Sequence, residues 1–227
     1  MKRMSTREKY EEAAVKAILE KIVVPEKIEF IRKYSSGICA DIGCGDGQYL
    51  PYFNCDDVIA VDLSLTRLKR AVKKRDVFGI VADVKVLPFK DDTFDFIWSS
   101  EVIEHLTEND GDKMVDELRR IGRGKIVITT PNTNFFSETI KNIFNRERKK
   151  SLKAGKVYHL SLYDPKKLSK LGFHVFGILG DSSIQMSFFK APIIRKLIGF
   201  FIYRCPLFSS DLVGVMDVTS NSIHNIY

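Results

Sequence analysis

Short apolar runs alternate with amphipathic stretches through the middle of the chain. The apolar runs predict buried strands at residues 37–42, 58–62, 79–82, 94–98 and 124–130. The stretches between them place apolar residues at helical spacing, and the clearest helices are predicted at residues 65–74 and 112–120. Strands that alternate with helices favour βαβ units and a parallel sheet covered on both faces.

Two helices are predicted before the first strand. Apolar residues recur near helical spacing within residues 7–21, with Lys and Glu between them. Pro25 opens a second, shorter helix that runs to Lys33. We expect both helices to cover the sheet.

The part of the chain after the fifth strand is less regular. Helices are predicted at residues 132–145 and 165–171, and further strands at 173–177 and 211–220. Residues 146–156 form a basic, exposed insertion, and residues 188–208 an apolar stretch interrupted by Lys and Arg. This amphipathic stretch fits a core helix, a lid over a lipid-like substrate or a peripheral contact with a membrane surface.

Neither internal repeats nor a linker divide the chain, so we predict one domain over residues 1–227. Residues 1–34 form its N-terminal helical cover and residues 35–131 its ligand-binding core. Residues 132–227 form the substrate side and the C-terminal half, with the apolar elaboration.

Composition narrows the class of protein. The chain is 44% hydrophobic and 29% charged, which is typical of a globular protein. Its formal net charge of +7 favours nucleic acid, an anionic membrane or an acidic small molecule as partner, although a Lys-rich surface alone explains it equally well. The longest strongly apolar stretch, residues 197–203, is far shorter than the roughly 20 residues of a transmembrane helix. The first residues lack the apolar segment of a secretory signal.

The cysteines indicate the compartment. Cys39, Cys44, Cys55 and Cys205 contain no C-x-x-C pair, so a structural zinc site is not expected. Cys39 and Cys44 fall in a predicted strand and its following turn, where we expect free thiols. Reduced cysteines predict a cytoplasmic localisation.

A glycine-rich turn and two acids carry the strongest chemical signal. The first strand ends in Asp41-x-Gly43-x-Gly45-x-Gly47, where glycines allow a tight turn and a ligand against bare backbone. A helix beginning near Gly47 would offer its free N–H groups to that ligand. Asp62 ends the second strand, where Rossmann-type sites place the acid that binds ribose hydroxyls, and Asp83 ends the third.

These residues, with the later Leu87-Pro88-Phe89 and Phe94-Asp95, resemble the core of class I methyltransferases that use S-adenosylmethionine (SAM). The resemblance covers about residues 36–131. It implies an α/β, Rossmann-like sheet of seven strands, mostly parallel, with helices on both faces. The implied strand order is 3-2-1-4-5-7-6, with strand seven antiparallel.

The resemblance also implies which residues bind SAM. The turn holds the amino-acid end of the ligand, the second strand end binds its ribose, the third receives its adenine, and the fourth lines its methionine arm. In that order the residues are Asp41, Gly43, Cys44 and Gly45; Asp62 and Leu63; Asp83 and Val84; Ser99 and Ser100.

A cluster of two acids and a histidine follows the fourth strand. On a helical turn, Glu101, Glu104 and His105 would share a face and could bind a divalent cation. The Glu-x-x-Glu-His pattern resembles the O-methyltransferases of ubiquinone biosynthesis and the enzymes that methylate the terminal 2′-hydroxyl of small RNAs, both metal-using. Both groups of enzymes also resemble this chain at Thr130-Pro131-Asn132. Both have a further histidine downstream, and His159 is the matching candidate here. The cation would be Mg²⁺ or Mn²⁺ and would lower the pKa of an acceptor hydroxyl.

The same pattern also has a metal-free interpretation. Many class I methyltransferases that use no metal carry a similar Glu-His, whose imidazole packs over the cofactor or acts as a general base. The catalytic candidates are therefore His105, which has a role in both interpretations, and Glu101 and Glu104.

The predicted function is SAM-dependent methylation, foremost O-methylation of a small apolar or anionic molecule. The alternatives are a metal-assisted RNA 2′-O-methyltransferase, for which the basic run 146–156 could steer RNA, and a SAM-binding or interaction module without turnover.

Overall fold

The computed structural model describes residues 5–16, 23–55, 57–133, 160–179 and 200–219. Seven strands form one sheet in the order β3-β2-β1-β4-β5-β7-β6. The strands are β1 (Cys39–Ile42), β2 (Val58–Asp62), β3 (Phe78–Val81), β4 (Phe94–Ser100), β5 (Gly122–Pro131), β6 (His174–Ile178) and β7 (Asp211–Asp217). The predicted fold class and strand order are confirmed.

The direction of the strands also follows the prediction. Strands β1 to β5 pair in parallel, whereas β7 runs antiparallel to both of its neighbours, β5 and β6. In an open parallel sheet, ligands bind beyond the carboxyl ends of the strands, where the strand order reverses. Here that reversal lies between β1 and β4.

The described helices begin at positions that their sequences favour. They are α1 (Thr6–Lys16), α2 (Pro25–Tyr34), α3 (Leu65–Ala71), α4 (Glu108–Ile121) and α5 (Pro165–Lys170). Pro25 begins α2, because proline is preorganised for a first helical turn. Ser64, Thr107 and Asp164 cap α3, α4 and α5, each accepting a hydrogen bond from the backbone N–H three residues on.

Strand β4 separates the two halves of the core. Because successive side chains of a strand point to opposite faces, Trp98 packs with Phe30 and Ile31 of α2, whereas Ile97 packs with Met114 and other residues of α4. All five side chains are buried. The helical cover and α4 thus lie over opposite faces of the sheet and leave its carboxyl edge accessible.

Two local predictions are wrong. No helix begins near Gly47; the chain passes through turns and makes only a short 3₁₀ turn at Leu50–Tyr52. Cys39 is not a free thiol but forms a disulfide with Cys55, because the segment that leads into β2 lies beside β1. Cys44 does have a free thiol. The prediction of a cytoplasmic localisation therefore loses its argument from reduced cysteines.

Several predicted segments lie outside the described residues: the helix 132–145, the basic run 146–156 and much of the apolar stretch 188–208. Where that stretch is described, residues 200–204 are helical; Ile202 is buried, and Phe200 and Phe201 are more than half exposed. It thus combines a core contact with an exposed apolar surface.

Among the helices that the structure describes, none is long and apolar enough to cross a membrane. The single-domain organisation and a peripheral membrane contact stay predictions.

Candidate cofactor and acceptor site

A cavity of about 370 Å³ lies at the carboxyl edge of the sheet. Nine of the ten predicted cofactor residues line it: Asp41, Gly43, Cys44, Gly45, Asp62, Leu63, Asp83, Val84 and Ser100. Glu101 and His105 line it as well. The structure thus brings together both groups of residues that the sequence singled out.

The glycine turn after β1 needs residues without a side chain. Gly43 and Gly45 have φ angles of +76° and +55°, in the left-handed region that glycine adopts without strain. A Cβ at Gly43 would meet Val102 at 2.4 Å, whereas a Cβ at Gly45 would meet nothing within 4 Å. Because Gly45 lines the cavity, that open space lets a ligand approach bare backbone.

Asp62 is fixed by backbone groups on two sides. Its Oδ2 accepts from the Gly45 N–H at 2.8 Å, and its Oδ1 accepts from the Ser64 N–H at 2.9 Å. Burial raises the pKa of this carboxyl, while the two hydrogen bonds act in the opposite direction. The side chain thus joins the glycine turn to the end of β2 and is held at the cavity wall.

Asp41 is a buried acid beneath the glycine turn. It is 3% exposed, and burial together with the neighbouring Asp62 raises its pKa to about 8. Both causes disfavour a negative charge. A cationic ligand in the cavity would therefore favour ionisation of Asp41.

The residues predicted to contact the adenine and those predicted to line the methionine arm differ in position. Asp83 and Val84 line the cavity beyond β3, where the Asp83 Oδ1 accepts from the Lys85 N–H at 3.0 Å. Ser99 is buried, and its hydroxyl donates to the Ile42 carbonyl at 2.7 Å, joining β4 to β1. Ser99, predicted to line the methionine arm, is not among the residues that line the cavity, whereas Ser100 is.

Helix α1 supplies wall residues that the sequence did not single out. Arg7 and Tyr10 line the cavity, and the Arg67 guanidinium lies 5.2 Å from the centre of the Tyr10 ring. Glu11 accepts from the Thr66 N–H at 3.0 Å and so docks α1 on α3. The helical pattern of residues 7–21 predicted a cover. It did not predict that α1 lines the cavity, because that position depends on the contact with α3.

Glu101 adopts an unusual backbone conformation in the part of the cavity wall that it forms with His105, called the acceptor end below. Its φ of +58° is strained for a residue other than glycine, and such strain occurs at functional sites. Its N–H donates to the Thr129 carbonyl at 3.0 Å, and its Oε1 accepts from the Thr129 hydroxyl at 3.2 Å.

Lys27 of α2 also reaches this end, and no sequence pattern indicated it. Its Nζ lies 2.9 Å from Glu101 Oε1 and 3.6 Å from Asp211 Oδ2, and the side chain is 2% exposed. Burial lowers the pKa of Lys27, but the two carboxylates outweigh that effect and hold it above its ordinary value. Lys27 is therefore a buried cation paired with two acids.

Glu104 and His105 lie together in the 3₁₀ turn Ile103–His105. Glu104 is 2% exposed, and its Oε2 accepts from the Thr130 hydroxyl at 3.2 Å. The His105 Nε2 is 3.9 Å from Glu104 Oε1, and a quarter of the His105 side chain is exposed. The carboxylate is thus buried behind an imidazole that lines the cavity.

The structure does not support the predicted metal site. Glu101, Glu104 and His105 do not share a helical face, because Glu101 precedes the 3₁₀ turn and has a left-handed backbone. The successive residues Thr129 and Thr130 point to opposite faces of β5 and bind Glu101 and Glu104, respectively.

Glu101 is paired with the Lys27 ammonium, 2.9 Å from its Oε1. In the ranges that the structure describes, no three His, Cys, Asp or Glu side chains group closely enough to hold a metal ion. His159 lies outside those ranges. The donor set of the turn therefore does not fit Mg²⁺ or Mn²⁺.

The strand order, the glycine turn and the acids at the strand ends define a Rossmann-like domain of the class I SAM-dependent methyltransferases. Residues 40–128 match the model of a family described as a methyltransferase domain. The match spans β1 to β5 and thus includes every predicted cofactor residue. The chain therefore carries a class I SAM-dependent methyltransferase domain.

Relatives in sequence match the same part of the chain. An uncharacterised protein of Methanocaldococcus jannaschii is 36% identical over 108 residues, 46% of this chain and 45% of the relative. The malonyl-[acyl-carrier protein] O-methyltransferase of Pseudescherichia vulneris is 33% identical over 95 residues, 40% of this chain and 37% of the relative. The tocopherol O-methyltransferase of Arabidopsis thaliana is 35% identical over 102 residues, 40% of this chain and 29% of the relative. The chain spans about half the length of the first curated relatives it matches, or less.

Solved structures share the fold over more of the chain. A chain of the Haloferax volcanii complex between the Trm112 methyltransferase activator and a methyltransferase has a TM-score of 0.57 at 16% identity, covering 93% of this chain and 91% of that one. The magnesium protoporphyrin IX methyltransferase of Synechocystis PCC 6803, with bound S-adenosylhomocysteine, has a TM-score of 0.55 at 12% identity, covering 96% and 89%. At these identities the likeness concerns the fold.

Proposed function

We propose that the protein transfers the methyl group of SAM to an oxygen of a small, apolar or anionic acceptor. The observation that carries this proposal is that one cavity joins the glycine turn and the acids of the cofactor end to the Glu104–His105 pair. A site that only bound SAM would not need a buried acid behind an imidazole.

The cofactor end fits a cationic nucleoside ligand. Asp62 offers carboxylate oxygens for ribose hydroxyls, and Asp83 and Val84 lie where an adenine ring would be received. Asp41 and Asp62 supply acidic groups beside the open space at Gly45. When bound, SAM supplies a methyl group on a positively charged sulfur, which an oxygen nucleophile attacks directly.

The acceptor end supplies the proton acceptor. We assign His105 as the general base that takes the proton of the acceptor hydroxyl, a role that contributes about 10²- to 10⁴-fold to a rate. Glu104 stabilises the positive charge of the imidazole after proton transfer, since its Oε1 lies 3.9 Å from His105 Nε2. Glu101 lines the same cavity.

Apolar side chains beside His105 support an acceptor with an apolar part. Val102, Leu106 and Leu160 line the same cavity. The backbone N–H of Leu160 donates to the Glu104 carbonyl at 2.8 Å, so this wall is tied to the catalytic turn. Relatives named O-methyltransferases, among them the tocopherol enzyme, support oxygen as the acceptor atom.

The metal-assisted RNA function is not proposed. It depends on a cation at the Glu-x-x-Glu-His turn, and among the described residues no three possible metal ligands group there, since Glu101 and Glu104 accept from Thr129 and Thr130, whose side chains point to opposite faces of β5. A likeness to the small RNA methyltransferase HEN1, with a TM-score of 0.58 at 16% identity over 88% of this chain and 26% of that one, concerns the fold.

Methyl transfer from labelled SAM into fractionated cell extract tests the proposal. We expect label in a small molecule that contains a hydroxyl or carboxyl group, and none in total RNA assayed in parallel. The Asp116→Ala variant, altered at an exposed residue of α4, serves as the control and should label the same fraction. Label confined to RNA would favour the RNA function. Binding of SAM without labelling of any fraction would favour a module without turnover.

A further inference from the structure

Lys27 is a buried ammonium that the proposed methyl transfer does not use. It joins three separate parts of the chain, because α2 carries it, Glu101 follows β4 and Asp211 begins β7. A buried charge is costly unless it is closely paired, and removal of one partner leaves the other uncompensated. The pairing of one cation with two acids therefore points to a role at this position.

Only one of the two acids belongs to the cavity wall. Glu101 and Lys27 both line the cavity, whereas Asp211 is not among the lining residues. The strained backbone of Glu101 persists only because its surroundings hold it, and Lys27 and Thr129 both bind its Oε1. Lys27 thus helps to determine where a cavity carboxylate lies.

The charge of this cluster favours a cation as its ligand. Lys27 contributes one positive charge and Glu101 and Asp211 two negative charges, which leaves one net negative charge at the acceptor end. Without Lys27, two carboxylates would share a buried site, and one would take up a proton or turn toward solvent. If Glu101 took up the proton or turned away, the cavity wall would lose its carboxylate, and the remaining negative charge would lie on Asp211, which does not line the cavity.

SAM and its product differ in charge at the reacting atom. The sulfur of SAM is a positively charged sulfonium, and that of S-adenosylhomocysteine is a neutral thioether. We propose that Lys27 is a positioning residue that holds Glu101 as an ionised carboxylate at the cavity, where it favours the cationic donor over the neutral product. The inference rests on the proposed function, because SAM has to bind in this cavity.

Calorimetric titration with SAM and with S-adenosylhomocysteine tests the inference without an acceptor. For Lys27→Met and for Glu101→Gln, we expect the preference for SAM to fall roughly three- to tenfold relative to the wild type. Lys27→Arg keeps the charge and should keep the preference. Lys33→Met is the matched control, because it makes the same substitution at an exposed residue of the same helix.

The double variant Lys27→Met with Glu101→Gln separates positioning from a merely structural role. If Lys27 acts through Glu101, the double variant should lose no more preference than either single variant. Equal weakening of SAM and S-adenosylhomocysteine in Lys27→Met, or an increased preference for SAM, would overturn the inference. An unchanged ratio in Glu101→Gln would overturn it even if Lys27→Met failed to fold.

The outcomes also separate this inference from the proposed function. If the wild type bound neither compound, the assignment of the cofactor would fail and with it the proposed function. If the wild type bound both compounds and no variant changed their ratio, the inference alone would fail.

Discussion

The two ends of the cavity are assembled in different ways. At the cofactor end, Asp62 binds the N–H of Ser64 two residues on and that of Gly45, 17 residues earlier. At the acceptor end, Lys27 reaches Glu101 across 74 residues. The cofactor end thus follows from how each strand turns into its next loop, whereas the acceptor end depends on helices and strands packing correctly.

Because of this difference, mutations should affect turnover and SAM binding separately. Substitutions at the acceptor end should change turnover and leave SAM binding nearly intact, and substitutions at the cofactor end should do the reverse. Four experiments on turnover and binding follow, from the largest expected effect to the smallest, and a measurement of stability accompanies the third.

Substitution of His105 should give the largest change. We expect His105→Ala to lower turnover at least about 100-fold, since the general base is lost, and to change SAM affinity less than about threefold. Turnover is measured with the acceptor found by labelling, and affinity by calorimetry. His174→Ala, at an exposed residue of β6, is the control and should retain turnover. A His105→Ala enzyme with near-normal turnover would exclude His105 as the base.

Asp62→Ala should mainly affect the cofactor end. Loss of a charged acceptor for ribose hydroxyls costs about 1.5–3 kcal/mol, so SAM and S-adenosylhomocysteine should both bind roughly 10- to 100-fold more weakly. Calorimetry measures both affinities, and circular dichroism checks that the variant is folded, because Asp62 also binds the Gly45 and Ser64 N–H groups. Unchanged affinity in a folded variant would contradict the cofactor assignment.

The titration of Asp41 should make cofactor binding depend on pH. Because its pKa is raised to about 8, the carboxyl is mostly protonated at pH 6 and ionises progressively as the pH rises. SAM affinity should therefore increase about tenfold between pH 6 and 7.5, and Asp41→Asn should abolish that dependence. Calorimetry at a series of pH values follows both proteins. A pH dependence that persists in Asp41→Asn would assign the titration to another group.

The raised pKa of Asp41 also makes the stability of the fold decrease as the pH rises. The folded pKa of Asp41 lies above its ordinary value of 3.8, so folding favours the protonated form. The stability that Asp41 contributes is complete below pH 3.8 and declines as the pH rises toward about 8. Denaturant unfolding of the wild type and Asp41→Asn should show this difference across the same range.

Removal of divalent cations should have the smallest effect. Because Glu101 and Glu104 bind Thr129 and Thr130 on opposite faces of β5, we expect turnover in chelator to stay within about twofold of its value in Mg²⁺. The labelling assay with and without chelator measures this. Loss of turnover that Mg²⁺ or Mn²⁺ restores would show that the acceptor end rearranges around a cation.

Much of the fold was predictable from sequence, because its signals are local. Apolar runs located β1 to β5 to within a few residues, and the resemblance of the glycine turn and strand-end acids implied the strand order. The cap of α3 is also local, since the Ser64 side chain accepts from a backbone N–H only three residues ahead. Parallel strands bring their carboxyl ends to one edge, so Asp41, Asp62 and Asp83 were expected together and were found there.

What only the tertiary structure decided depends on distant contacts. Helical spacing predicted that Glu101, Glu104 and His105 would converge, but the left-handed backbone of Glu101 separates them, and spacing carries no information on that. Lys27 had no motif, because its role comes from where α2 docks relative to β4 and β7. The Cys39–Cys55 bond likewise depends on β2 lying beside β1. By itself the sequence determined the cofactor end, where chemistry follows each strand directly, and packing determined the acceptor end, where charges meet across the fold.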